Sequence, residues 1–232
     1  MAPFDYTIVR KARHKTASIV VQPDRTVQFI VPAGMRADAI EALAVAKQRW
    51  VAGKLTELEN SDFQRIEHRY VDGERFLFQG RYLTLMLRHG RGNVEKNGDT
   101  VLLSIPPGLS GDDRRCYAQA QLTSFCKTQA RALLRRKTHR LGQLHGLEAV
   151  HVNIKDYRSR WGCCFGDGRI YYNWKIIMAP EYIMDYVVAH ELCHLRIANH
   201  SYSYWQLVAT IIPDWRERRQ WLRSNGHALD IA

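Results

Sequence analysis

The sequence is poor in the features that would place it in several large classes. It has five cysteines, Cys116, Cys126, Cys163, Cys164 and Cys193, an odd number with two adjacent and no C-x-x-C pair. A disulfide framework or a cysteine zinc ribbon is therefore excluded, and reduced thiols in a cytoplasm are expected. No run of about 18 apolar residues occurs, so no membrane span is expected. The start, Met1-Ala2-Pro3-Phe4-Asp5-Tyr6, lacks a basic segment followed by an apolar one, and is not read as a secretory signal. Internal repeats and low-complexity tracts are absent. Acidic charge is scarce: 23 Asp and Glu stand against 34 Lys and Arg, a formal charge of +11. That excess attracts polyanions, so a nucleotide, nucleic acid or acidic protein surface enters as a partner class.

What is present reads as an α+β chain. Ser18–Val21 and Thr26–Val31 are β-branched runs joined by Pro23-Asp24-Arg25, which predicts a hairpin. Asp38 to Glu59 reads as a helix with Ile40, Leu43, Ala44, Ala46, Trp50 and Leu55 inward. Arg75–Phe78 and Tyr82–Leu87 flank Gln79-Gly80-Arg81, and Asn97-Gly98-Asp99 precedes a further strand at Val101–Ile105. Pro106-Pro107-Gly108 marks a boundary, giving a β-rich region with one helix over 1–108 and a second domain over 109–232.

That second domain should open with one long helix from Asp112 to about Leu144, acidic at its start and basic at its end, as the helix dipole favours. A small antiparallel sheet should follow, from Val150–Ile154 and from Arg160–Phe165 paired with Arg169–Trp174 across Gly166-Asp167-Gly168. Pro180, at the first helical position, should open a helix through His190 to about Ala198. Ser201 should cap another helix, and Pro213-Asp214 should precede a last short one.

The chemistry sits in His190-Glu191-Leu192-Cys193-His194-Leu195-Arg196-Ile197-Ala198-Asn199-His200. Two histidines four apart share one helix face and can grip a metal from the same side, with Glu191 beside them. Catalytic zinc takes three protein ligands and keeps one position open, which makes His200 the third ligand. Metzincins use the same six-residue interval from His194 but place a glycine midway, where this chain has Ile197. Asn199, tolerant of left-handed backbone, is then expected to turn the chain. Glu217 is the rival third ligand. Zinc acidifies bound water, and Glu191 takes its proton as general base. Arg158, Arg160, Tyr202 and Tyr204 are candidate donors to the developing oxyanion.

A second cluster is Arg158-Ser159-Arg160-Trp161-Gly162-Cys163-Cys164. Gly162 would let another backbone come close. Two arginines one apart on a strand would project together and could hold a carboxylate or phosphate.

These segments, with Asn173, Pro180, Tyr186–His194, Asn199-His200-Ser201, Trp205 and Pro213-Asp214-Trp215, resemble the YgjP-like metal-dependent hydrolases, also grouped as YgjP-like or SprT-like metallopeptidases. Arg13-His14-Lys15-Thr16 and Lys47-Gln48-Arg49-Trp50 resemble that family's opening segment. The resemblance implies a zincin-like α+β fold, zinc on His190, His194 and His200, and Glu191 as the catalytic residue. The family's usual serine after Trp-Gly is Cys163 here. The leading expectation is thus a zinc metallopeptidase acting on a peptide or protein, with Arg158, Arg160, Asn173 and Tyr204 toward the substrate. The alternative is a zinc-dependent hydrolase of a phosphoanhydride such as a nucleoside triphosphate, which the basic charge and paired arginines favour.

Overall fold

A computed structural model describes residues 4–22, 24–59, 68–90 and 92–231. The chain forms two compact units, one made of residues 1–65 with 223–227 and the other of 66–222 with 228–232.

In the first unit, β1 (Thr7–Lys11) runs parallel to β3 (Val27–Pro32), and β2 (Ser18–Val21) runs antiparallel to it. Strict alternation buries Val27, Phe29 and Val31 of β3, as a half-buried strand requires. They pack with Ile40, Ala44 and Val51 of α1 (Ala37–Glu59). The hairpin of β2 and β3 matches the sequence reading, although Pro23 of its turn lies outside the described residues. The inward face of α1 does not match throughout. Trp50 is 45% exposed and Ala46 is exposed, while Val51 is fully buried. At roughly 100° per residue, Trp50 stands about a quarter-turn away from the Ile40–Ala44–Val51 stripe.

The second unit contains a four-stranded sheet in the order β4 (Arg75–Phe78), β5 (Arg81–His89), β7 (Thr100–Ile105), β6 (Val94–Asn97). Strands β5 and β7 are parallel; the two outer pairs are antiparallel. The tight turn between β4 and β5 puts both Gln79 (φ 51°) and Gly80 (φ 75°) in left-handed backbone. Its amides donate to the carbonyls of Ile177 (2.7 Å) and Met178 (2.9 Å). A Cβ on Gly80 would meet Pro180 Cα at 2.8 Å, so only glycine allows this docking. The turn thereby fixes the segment that leads into the histidine helix. The break expected at residue 108 lies inside this unit.

Helix α2 (Gly111–His145) is the long helix read from the sequence, ended by Gly146 in left-handed backbone (φ 62°). Its buried stripe includes Ala118, Leu122, Cys126, Ala130, Leu134, Thr138 and Gly142, four residues apart. A three-stranded sheet follows, in the order β8 (His151–Lys155), β10 (Arg169–Asn173), β9 (Gly162–Cys164). It is mixed rather than antiparallel: β10 lies between the other two strands, antiparallel to β9 and parallel to β8. Strand β9 begins only at Gly162, so Arg158 and Arg160 belong to the loop 156–161 and not to a strand.

Asn173 then caps a short 3₁₀ helix, Trp174–Met178. Pro180 is the N-cap of α3 (Glu181–Cys193) rather than its first helical residue, and α3 stops at Cys193 instead of reaching Ala198. Helices α4 (Tyr202–Ile211) and α5 (Trp215–Asn225) complete the chain. No helix among the described residues is long and apolar enough to cross a membrane.

Candidate metal centre

Helix α3 is apolar on nearly every side: Ile183, Met184, Val187, Val188, Ala189, Leu192 and Cys193 are all buried. A helix buried all round is a rigid mount. It carries His190 in its last turn and His194 at its cap, where the backbone is still right-handed helical (φ −66°, ψ −19°). Their rings meet edge to face at 4.9 Å. After the cap, the chain turns so that Ile197 O lies 3.1 Å from His194 Nδ1. A carbonyl only accepts, so Nδ1 holds the proton and Nε2 keeps its lone pair. The residue in the place of the metzincin glycine thus supplies a main-chain anchor.

The chain returns through Asn199, which does so without left-handed backbone, contrary to the sequence expectation. Its side-chain Oδ1 instead accepts from Ser201 N at 3.2 Å, a local turn typical of asparagine. Ser201 Oγ accepts from Tyr204 N at 3.4 Å and caps α4, as its position in the sequence implied. His200 is thereby delivered with its Nε2 3.2 Å from His190 Nε2. One ligand atom from each of His190, His194 and His200 falls within 4.8 Å of the others. Glu217, the rival, is exposed on α5 and outside this cluster.

The surrounding rings hold the cluster. Tyr204 is fully buried, stacks on His194 (4.5 Å, 21°) and donates its hydroxyl to His190 O at 3.0 Å. That carbonyl is among the last of α3, which helix geometry leaves short of partners. The Tyr204 hydroxyl, expected to serve as a donor toward substrate, is thus bonded to a helix-end carbonyl beside the histidines. Tyr202 is 79% exposed. Trp205 stacks on His200 (5.5 Å, 27°), and Trp215 stacks on Trp205 (4.2 Å, 15°). Arg219 lies 4.9 Å from the Trp205 ring centre. Burial, then the charges of His194, His200 and Arg219, push His190 down to about 3. Burial, then the charges of His194 and Arg219, lower His200 as well. Both rings are neutral near pH 7, the form that donates to a metal.

Glu191 is 5% exposed. Burial pushes its carboxyl up to about 8, against a hydrogen bond from the Cys164 amide and the charge of Arg160. Gly162 is what makes room for it. A Cβ there would lie 2.4 Å from Glu191 Oε1 and 2.6 Å from its Cγ. The sequence suggested a close approach at Gly162, and the approaching group is this carboxylate rather than another backbone. Asn173, expected to face substrate, is 4% exposed. Its Nδ2 donates to Tyr157 O (2.9 Å) and Arg160 O (3.2 Å), tying loop 156–161 to β10. Arg158 is exposed in that loop; Arg160 is exposed too, with Nη1 3.8 Å from Cys163 Sγ. Tyr157, beside Arg160, Cys163 and Glu191, was not singled out from the sequence. Nothing in the local pattern separates it from the eleven tyrosines of the chain.

A domain that gathers three histidines and a buried glutamate on and beside one helix has the make-up of a metal-dependent hydrolase. A family model described as "YgjP-like, metallopeptidase domain" matches residues 15–225, and the chain belongs to that family. No curated protein and no solved structure matches the chain.

Proposed function

We propose that the chain is a zincin-like zinc peptidase in which His190, His194 and His200 hold the metal and Glu191 is the general base. The observation that carries this reading is the convergence of three imidazoles beside a buried carboxylate. Two nitrogens bound tetrahedrally at about 2.0–2.1 Å lie about 3.3–3.4 Å apart. The His190–His200 nitrogen separation of 3.2 Å is close to that spacing. The His190 ring is also unsatisfied by protein: its Nδ1 is buried without a partner, and its Nε2 meets only another imidazole. Such a ring costs about 1–3 kcal/mol, which a cation at Nε2 would offset.

When bound, the metal polarises a carbonyl oxygen and acidifies water. In its carboxylate form, Glu191 accepts the water's proton and passes it to the leaving amine nitrogen. Strand β9 supports an extended peptide as substrate. Phe165 N bonds to Arg169 O across the hairpin, so the alternating groups of Gly162 and Cys164 face away from β10. The Cys164 amide meets Glu191 on that side, which leaves a short free edge next to the base. The catalytic machinery falls wholly within residues 109–232, and five free thiols favour a reducing compartment such as the cytoplasm.

The phosphoanhydride reading keeps one specific observation: Arg158 has no carboxylate partner among the described residues. Metal-loaded protein offered a peptide library beside a panel of nucleotides decides between the two. Cleavage of peptides alone supports the peptidase, and phosphate or pyrophosphate release alone replaces it.

A further inference from the structure

The sheet that carries Gly162 has two unlike faces. Ile170 and Tyr172 of β10 are fully buried, and Tyr172 Oη lies 2.9 Å from Thr138 Oγ1 of α2. Strand alternation therefore turns Tyr171 to the opposite face, together with its register partner Cys163. There the Phe165 ring meets Tyr171 edge to face at 5.5 Å, and Phe165 remains 38% exposed. Tyr157 is half-buried, and Tyr171 and Cys163 are close enough to act on its phenol. Three aromatic rings thus stand on or beside one open face of a three-stranded sheet.

Cations frame these rings. Lys155 Nζ lies 5.6 Å and the Arg160 guanidinium 5.7 Å from the Tyr157 ring centre. Lys155, Arg158 and Arg160 are exposed; Lys155 and Arg158 have no carboxylate partner among the described residues, and the charge of Arg160 acts on Glu191. Arg169 lies over Phe165 at 5.3 Å but is paired with Asp167 at 2.7 Å. Asp156 is the other acid of this stretch, so the face and its loop stay net positive. Structural cations in this molecule are spent differently: Lys137 is only 11% exposed and bonds both Glu181 and Asp185. A solvent-facing row of uncompensated cations beside open aromatic rings needs a ligand with both negative charge and flat apolar surfaces. Single-stranded nucleic acid has both, in its phosphates and its unstacked bases. An acidic peptide would satisfy the cations and leave the rings without a partner.

We propose that this face, formed by Tyr157, Phe165 and Tyr171 with Lys155, Arg158 and Arg160, binds single-stranded nucleic acid. The inference does not rest on the peptidase reading, since binding needs neither metal nor turnover. Because Tyr157 also borders Glu191, a bound strand would lie at the edge of the candidate metal centre.

Fluorescence anisotropy with a labelled oligothymidine of about 20 nucleotides tests it on the full chain. Wild type should bind at about 50 mM salt and weaken steeply by about 200 mM. Lys155→Glu with Arg158→Glu should weaken binding at least about tenfold. Tyr171→Ala should weaken it by about five- to a hundredfold, the range for one stacked base. Arg36→Glu with Arg88→Glu changes net charge equally at exposed sites elsewhere and should leave affinity within about twofold. Circular dichroism checks that each variant folds, and the charge variants carry the test should Tyr171→Ala unfold. No binding at low salt would overturn the proposal. So would equal weakening by the control pair, or equally tight binding of an acidic peptide of the same charge.

Discussion

Helix α3 and strand β9 approach Glu191 from two sides and are held in unlike ways. Helix α3 is enclosed by apolar neighbours, and its two histidines are fixed further by Tyr204 and the Ile197 carbonyl. Strand β9 has three residues, one free edge, and an exposed loop of cations before it. On the proposed reading, the chemistry rests on the enclosed side and the substrate meets the open side. Gly162 is where the two come closest to a clash, beside the bond from the Cys164 amide to Glu191.

The sharpest way to break this contrast is therefore Gly162→Ala. The added methyl would sit 2.4 Å from Glu191 Oε1, so either β9 or the carboxylate must move. Hydrolysis is expected to fall by about a hundredfold or more, as when a general base is lost, while metal content stays at one per chain. Wild-type kcat/KM in this variant would show that the contact is irrelevant to the base.

On the enclosed side, Tyr204→Phe keeps the ring stacked on His194 but removes the bond to His190 O. Leaving that carbonyl short costs about 1–3 kcal/mol. A lower melting temperature and about tenfold weaker metal binding should follow, read by calorimetry and by chelator competition. Unchanged values in both would return Tyr204 to a substrate role.

Far from either element, a pH experiment checks that losses at the centre are not general weakness. Burial raises the Glu74 carboxyl, but bonds from the Val71 amide, His68 Nδ1 (2.9 Å) and the Arg69 amide outweigh it, and the group ends below its ordinary value of 4.5. A lowered folded value means the stabilisation is complete above 4.5 and disappears as pH falls through the folded value. Glu74→Gln should therefore cost more stability at pH 7 than near pH 3, measured by urea unfolding. An equal cost at both pH values would contradict the assignment.

The smallest effect is expected on the open side. Arg158→Ala should leave the melting temperature within about a degree, since exposed unpaired charges contribute little to stability. It should change KM for anionic substrates by a few-fold at most. A large loss of kcat instead would move Arg158 into the catalytic machinery.

The same contrast decides what could be read from the sequence. The spacing of His190, His194 and His200 was legible because a helix repeat translates directly into a shared face, and the Ser201 cap fixed the return of the chain. Long helix α2 was legible because no proline or glycine interrupts residues 112–141. The order β8-β10-β9 was not, since a strand's sequence does not state which neighbour it will insert between. The hydrogen bonds of Asn173 and Tyr204 to main-chain carbonyls were not legible for a related reason. Polar side chains near a motif read as substrate contacts, yet burial committed one to the loop carbonyls and the other to a helix end. Trp50 was misplaced by composition alone, a large apolar residue a quarter-turn off the buried stripe. The contact of Gly162 with Glu191, twenty-nine positions apart, has no local signal beyond the glycine itself.

The central claim is that three histidines, and no acid, hold the metal. The most direct measurement is zinc affinity by chelator competition for His200→Ala beside Glu217→Ala, with helical content followed by circular dichroism. The cluster predicts a large loss of affinity in His200→Ala, wild-type affinity in Glu217→Ala, and unchanged helicity in both. Unchanged affinity in His200→Ala with a large loss in Glu217→Ala would contradict it.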